Sequence, residues 1–170
     1  LIAELCQQYD VTVISDEVYE HLIYSPAEHL PIAALDGMFE RTVTIGSAGK
    51  TFGMTGWKVG WAYGAPLLIQ GLMQARQFIT FATNHPAQVG VAHAFSLPPS
   101  VFDQYRALYT AKRDLLMQAL DAAGLKAMTP EGTYFAMADF SDVFDGDDMA
   151  FSNELIREIG VACIPPRFFY

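Results

Sequence analysis

The chain has 170 residues, 52% of them hydrophobic and 17% charged, with a formal net charge of −9. That balance excludes a disordered chain and argues against nucleic acid or an anionic membrane surface as a partner. No apolar run is long enough to cross a bilayer.

The only cysteines, Cys6 and Cys163, lie far apart in apolar surroundings. They predict buried thiols in a reducing cytoplasm, and nothing in their spacing suggests a metal site. Both ends read as cut. Leu1, Ile2, Leu5 and Cys6 form an apolar helical stripe with no N-cap before it, and the last residues stop on an apolar aromatic group. The expectation is a segment of a longer protein.

In chain order, a helix is predicted over Leu1 to Tyr9, then a β-branched strand from Val11 to Ser15 that ends at Asp16. Its composition is that of a strand buried in a parallel sheet. Loop and short helix follow, around Pro26, Pro31 and Gly37. A second strand covers Thr42 to Ile45 and breaks at Gly46 into a small-residue loop presenting Lys50. A third covers Val59 to Tyr63. Helices are predicted from Leu67 to Phe78, from Pro86 to Phe95, and from Val101 to Ala123, the last stopped by Gly124. Beyond it the texture changes. Leu125 to Met128 and Tyr134 to Asp139 read as paired strands, Met149 to Ile159 as a helix capped by Asp147 and Asp148, and Val161 to Ile164 as another strand. The fold class is therefore α/β, with a doubly wound domain over 1–100 and a linking helix and incomplete α+β module over 101–170.

The chemistry concentrates in Thr42 to Trp61, where Lys50 has no acidic residue to pair with. Ser47 lies three positions before it, and Lys58 sits between two tryptophans. Asp16 and Tyr19 follow the end of the first strand, where open α/β sheets bind ligands. A pyridoxal-phosphate site needs an amine, a carboxylate for the ring nitrogen, a phenol for the ring oxygen, and hydroxyls with a cation for the phosphate. Lys50, Asp16, Tyr19, Ser47 and Lys58 supply that set.

Taken singly, each residue has a plainer role. Strand-end acids cap turns, and lone lysines stand in solvent with their stems over indoles. A phosphate-binding P-loop is the rival reading of Gly46-Ser47-Ala48-Gly49-Lys50-Thr51. It fails because its first glycine would fall at Thr44, and because Gly53 and Gly56 interrupt the helix it requires at about 1 kcal/mol each.

The ordered motifs resemble those of the fold-type I, class I/II pyridoxal-phosphate aminotransferases, and the kynurenine/methionine group in particular. Ser15-Asp16-Glu17-Val18-Tyr19 is similar to the family's strand-end motif. Ser47-Ala48-Gly49-Lys50-Thr51 with Thr55-Gly56-Trp57-Lys58-Val59-Gly60 is similar to its lysine motif, and Pro130-Glu131-Gly132-Thr133-Tyr134-Phe135 to its small-domain hairpin. The resemblance implies the C-terminal part of a large domain, a mainly parallel sheet with helices on both faces, followed by an incomplete small domain. It makes Lys50 the lysine that forms an imine with pyridoxal 5'-phosphate. Asp16 partners the ring nitrogen, Tyr19 the ring oxygen, and Ser47 and Lys58 the phosphate. Thr83 would reach the phosphate of a neighbouring subunit in a homodimer, with Phe81 lining the partner's pocket.

The implied activity is transfer of an amino group between an amino acid, such as methionine, kynurenine or an aromatic one, and a 2-oxo acid. A carbon–sulfur lyase or related synthase shares these motifs, and a truncated non-catalytic relative is a third reading. The family's ring-stacking aromatic and carboxylate-binding arginine fall outside these residues, so the segment alone is expected to be inactive.

Overall fold

The computed structural model describes residues 1–169, which form two compact units. The first comprises residues 1–110 together with 131–134, and the second comprises 111–130 and 135–169. The division falls inside the long helix. The first two turns of that helix still pack on the first unit: Phe102 lies 5.9 Å from the Phe52 ring, and the Tyr105 hydroxyl donates to the Lys50 carbonyl at 3.3 Å.

In the first unit three strands, β1 (Val13–Asp16), β2 (Thr42–Ser47) and β3 (Gly60–Gly64), lie side by side in chain order. β1 and β2 run parallel with Asp16 opposite Ile45, whereas β2 and β3 run antiparallel with Ser47 opposite Gly60. The third strand departs from the parallel pattern: residues 48–59 form only a short helix, Ala48–Thr51, and a 3-10 turn, Thr55–Trp57, and the chain returns directly beside β2. β2 is the buried centre of the sheet, with Thr42, Val43 and Thr44 each 6% exposed or less. β1 does not share that burial. Its Ile14 is 72% exposed, because its side chain finds no covering layer among the described residues.

Helix α1 (Ile2–Gln8) precedes β1, and Arg41 ties it down by donating to the Cys6 carbonyl at 3.0 Å. Between β1 and β2 the chain makes two short 3-10 turns, Ile32–Ala34 and Phe39–Arg41, and buries Leu22, Tyr24 and Met38. Helix α2 (Ala48–Thr51) follows β2, and α3 (Pro66–Ile79) opens on a proline that suits the first turn. Helix α4 (His85–Ala94) is capped by Asn84, whose side chain accepts from the Ala87 N–H at 3.1 Å. Ala87 and Val91 of α4 pack with Ala48 and Val59 in the core of this unit, against Phe52, Met54 and Trp61.

Helix α5 (Ser100–Ala122) runs on into the second unit and ends at Gly124, whose φ of +78° is the left-handed conformation glycine accepts most cheaply. Strands β4 (Lys126–Met128) and β5 (Met137–Asp139) pair antiparallel. The second strand thus begins at Met137, later than expected, because 131–134 belongs to the first unit. Helix α6 (Asp148–Glu154) has Asp147 as its cap, accepting from the Ala150 N–H at 2.8 Å. It widens into a π-type turn over Leu155–Ile159 before Gly160.

The strand expected over 161–164 does not form. That stretch joins no ladder, Val161 and Ile164 stand exposed, and Pro165 and Pro166 remove the next two backbone donors. Cys6 is buried as predicted. Cys163 is not: it is exposed, with its Sγ 3.1 Å from the Ser152 hydroxyl.

Candidate active site

The parallel ladder brings the carboxyl ends of β1 and β2 to one place. Beyond Asp16 the Glu17 N–H continues the ladder by donating to the Ile45 carbonyl at 2.9 Å. At the end of β2, Ser47 turns the chain into α2, its hydroxyl accepting from the Gly49 N–H at 3.2 Å. Lys50 therefore rides on a helical turn and not on the open loop expected from its small neighbours. The turn is anchored from below. Ala48 is fully buried and its N–H donates to the Val59 carbonyl at 3.0 Å. Gly46 makes this anchor fit, since a Cβ there would stand 2.3 Å from the Trp61 indole nitrogen.

The chain returns through Lys58, whose φ of 54° and ψ of 45° are left-handed. A non-glycine residue there costs about 1–2 kcal/mol, a strain that recurs at functional positions. Nothing in the sequence predicts it. Val59 beside it is buried and Gly60 lies opposite Ser47, so the strained residue is held next to the Ser47 turn. Its ammonium is solvent-exposed and has no protein partner among the described residues.

Lys50 is ringed by phenols. Its Nζ donates to the Tyr134 hydroxyl, and stands 5.1 Å from the centre of that ring and 5.6 Å from the Tyr19 ring. Tyr19 meets Tyr134 edge-on at 5.2 Å, and Tyr109 of α5 stacks on Tyr134 at 6.1 Å. The hydrogen bond from Lys50, seconded by one from Tyr19, holds the Tyr134 phenol below the ordinary tyrosine range. Burial and its own donation to Tyr134 push the Tyr19 phenol up.

Asp16 is exposed in this chain, with Oδ1 accepting from the Val18 N–H at 3.3 Å, and its charge also raises Tyr19. Asp16, Tyr19 and Lys50 thus share one neighbourhood, and Ser47 begins the turn that carries Lys50, with Lys58 two residues before the Gly60 that stands opposite Ser47. Thr83 is not drawn into it: its hydroxyl accepts from Arg76 at 3.3 Å, in the linker between α3 and α4. Phe81 nearby is 77% exposed with a left-handed φ of 56°.

Sequence reasoning missed Tyr134 and Tyr105 as partners of the lysine, and Tyr109 as the ring stacked on Tyr134. The Pro130–Phe135 motif marked a hairpin, and no local spacing says which strand end a hairpin tyrosine will reach.

The whole chain, residues 1–170, matches the family model for aminotransferase class I and II. The chain belongs to the class I and II aminotransferases. Among the family's curated members it is 40% identical to kynurenine–oxoglutarate transaminase 1 of mouse. That alignment covers all of the chain and 44% of the relative. Among solved structures it superposes on N-succinyldiaminopimelate aminotransferase from Mycobacterium tuberculosis with a TM-score of 0.96 at 41% identity, over 99% of the chain and 44% of the other. It also superposes on the Escherichia coli protein YbdL, for which a methionine aminotransferase function is described, with a TM-score of 0.90 at 38% identity, over 99% of the chain and 45% of the other. The chain thus spans less than half the length of these aminotransferases.

The family is pyridoxal-phosphate-dependent. The donor set fits that group. One amine sits between two phenol rings, a carboxylate lies near one of them, and a serine hydroxyl stands opposite Gly60, two residues after a lysine whose ammonium has no protein partner among the described residues. These are the chemistries that an aldehyde, a protonated ring nitrogen, a ring oxyanion and a phosphate require.

Proposed function

We propose that the protein to which this chain belongs is an amino-acid aminotransferase, moving an amino group from methionine, kynurenine or an aromatic amino acid to a 2-oxo acid. The observation that carries the reading is the placement of Lys50 on a buried helical turn at the end of β2, beside the end of the parallel strand bearing Asp16. Family membership and the names of its relatives support the reaction class and the substrate range.

Pyridoxal phosphate, when bound, supplies an electron sink for the pair released from the amino acid's α-carbon–hydrogen bond. The chain's residues do the rest. Asp16 would hold the ring nitrogen and its proton, and Tyr19 would donate to the ring oxygen. Ser47 and Lys58 would bind the phosphate, with Lys58 a point charge in place of an arginine fork. Lys50 Nζ would hold the aldehyde carbon in the resting enzyme. Once displaced by substrate, it would take the α-proton at Nζ and return it two atoms away, to the carbon that Nζ had held. Thr83 would act only across a homodimer, on the neighbouring subunit's phosphate.

The test is an amino-donor panel on the full-length protein with a 2-oxo acid acceptor. Formation of the donor's 2-oxo acid together with a new amino acid establishes transfer. Release of free thiol from methionine without transfer establishes a lyase and overturns the proposal.

A further inference from the structure

We propose that Tyr134 is the proton partner and positioning residue of Lys50, delivered to it by a strap at residues 131–134. The inference rests on the reading of Lys50 as the reactive amine, but its observations are independent of any cofactor.

The strap is fixed by backbone before its side chain is considered. Tyr24 N–H donates to the Glu131 carbonyl at 2.8 Å, and Thr133 N–H to the Leu22 carbonyl at 2.8 Å, so that Ile23 and Gly132 bridge antiparallel. The Tyr24 hydroxyl adds a third bond, to the Thr133 carbonyl at 2.7 Å. Leu22 and Tyr24 are each 2% exposed, so the receiving edge is itself anchored in the core. Gly132 permits the approach, because a Cβ there would stand 2.9 Å from Ile23 Cδ1 and 3.1 Å from the Leu22 carbonyl oxygen. Thr133 takes a left-handed φ of 63°, a strained conformation for a β-branched residue, and this turn aims the next side chain. That next residue is Tyr134.

Two donors converge on the Tyr134 oxygen: the Lys50 amine and the Tyr19 hydroxyl. An oxygen that accepts twice is prepared to carry negative charge. The step available is one proton transfer along that bond, in which an N–H bond of the Lys50 ammonium breaks and an O–H bond forms at the Tyr134 oxygen, turning an ammonium–phenolate pair into an amine–phenol pair. The groups facing this pair are Tyr19 and Asp16 from the segment after β1 and Tyr105 and Tyr109 from α5. Asp16 disfavours added negative charge nearby, and the lysine outweighs it by direct contact. When Lys50 is displaced by substrate, the Tyr134 oxygen gives its amine a fixed place and an acceptor for the proton it must shed before it can act as a base. Burial of α2 sets where the lysine begins, and the strap sets where it points.

The experiment follows tyrosinate absorbance as full-length, cofactor-free protein is titrated with base. Wild type is expected to show one phenol ionising below the ordinary range. Tyr134→Phe, which keeps the ring contacts with Tyr19 and Tyr109, should lose that phenol. Lys50→Ala should keep Tyr134 but move its ionisation upward. Superimposable curves for wild type and Tyr134→Phe, or a Lys50→Ala curve with the early phenol unmoved, overturn the inference. Addition of pyridoxal phosphate to the same samples reports separately on the functional reading. No visible colour with wild type would sink that reading while leaving the phenol–amine result intact.

Discussion

Lys50 donates its side-chain hydrogen bond to the hydroxyl of Tyr134, a residue 84 positions further along the chain. The lysine motif and the hairpin motif are separate features of the sequence, and this contact joins them in one piece of chemistry. A lysine that reacts must shed a proton, and its hydrogen-bond partner is a tyrosine oxygen whose anionic form, able to accept that proton, is favoured by the contact.

Replacing Lys50 by alanine in the full-length protein should lower kcat for transamination by about a hundredfold to ten-thousandfold, the range that a positioned proton-transfer group supplies. Thermal stability should hardly change, since the backbone anchor of this turn is Ala48 and not the lysine. Steady-state kinetics beside a melting curve separate the two effects.

Asp16→Asn removes the negative charge proposed to hold the ring nitrogen's proton. Hydrogen bonds to charged groups are worth about 1.5–3 kcal/mol, so kcat should fall about tenfold to a hundredfold while the fold persists. A cofactor titration monitored by visible absorbance, together with kcat, checks this. Unaltered kinetics would remove Asp16 from the site.

Thr44→Val should stabilise the protein by up to about 1 kcal/mol. The Thr44 hydroxyl is 1% exposed at the centre of the sheet and has no hydrogen-bond partner among the described residues, so it loses its hydration without replacement. Gly64→Ala should act in the opposite direction. A Cβ at that position would lie 2.4 Å from the Thr42 carbonyl oxygen, and separating two backbones costs about 1–3 kcal/mol. Chemical denaturation midpoints test both variants.

In the second unit Arg167 binds two aspartates. Its backbone N–H donates to Asp148 at 3.0 Å, its guanidinium bonds the same carboxylate, and it pairs with Asp147 at 2.9 Å. Arg167 holds the Asp148 carboxyl below its usual range. The Ala150 N–H, followed by Arg167, does the same for Asp147. A carboxyl depressed in the folded state stabilises above its unfolded pKa, and that gain is lost as pH falls through the folded value. The advantage of wild type over Arg167→Ala in melting temperature should therefore be full at neutral pH and shrink steadily under acid. An advantage independent of pH would contradict this.

Much of the framework was legible because local signals agreed with the fold. The β-branched run at Thr42, the prolines that open α3 and α4, and Gly124 after α5 each favour one conformation over its rivals. The placement of Asp16, Ser47 and Lys50 at neighbouring strand ends was legible because a β-branched run followed by small or acidic residues marks where a strand stops. The exceptions share a cause. Val161 to Ile164 has strand composition but no neighbour to pair with, and Cys163 has apolar neighbours in sequence that do not cover it in space. Lys58 adopts a conformation its side chain disfavours, held there by Val59 and Gly60. Tyr134 lies next to Lys50 because Leu22, Ile23 and Tyr24 capture the strap through backbone bonds, and backbone bonds leave no imprint on residue type.

That capture bears on how the molecule can be dissected. Residues 131–134 fold with the first unit although 111–130 and everything from 135 onward fold with the second. An excised fragment ending at Thr110 would keep the sheet, α2 and the lysine, yet lose the phenol that grips it. Grafting this aminotransferase core onto a foreign C-terminal half would succeed only if the donor half brought its own Glu-Gly-Thr-Tyr, in phase with Leu22 and Tyr24.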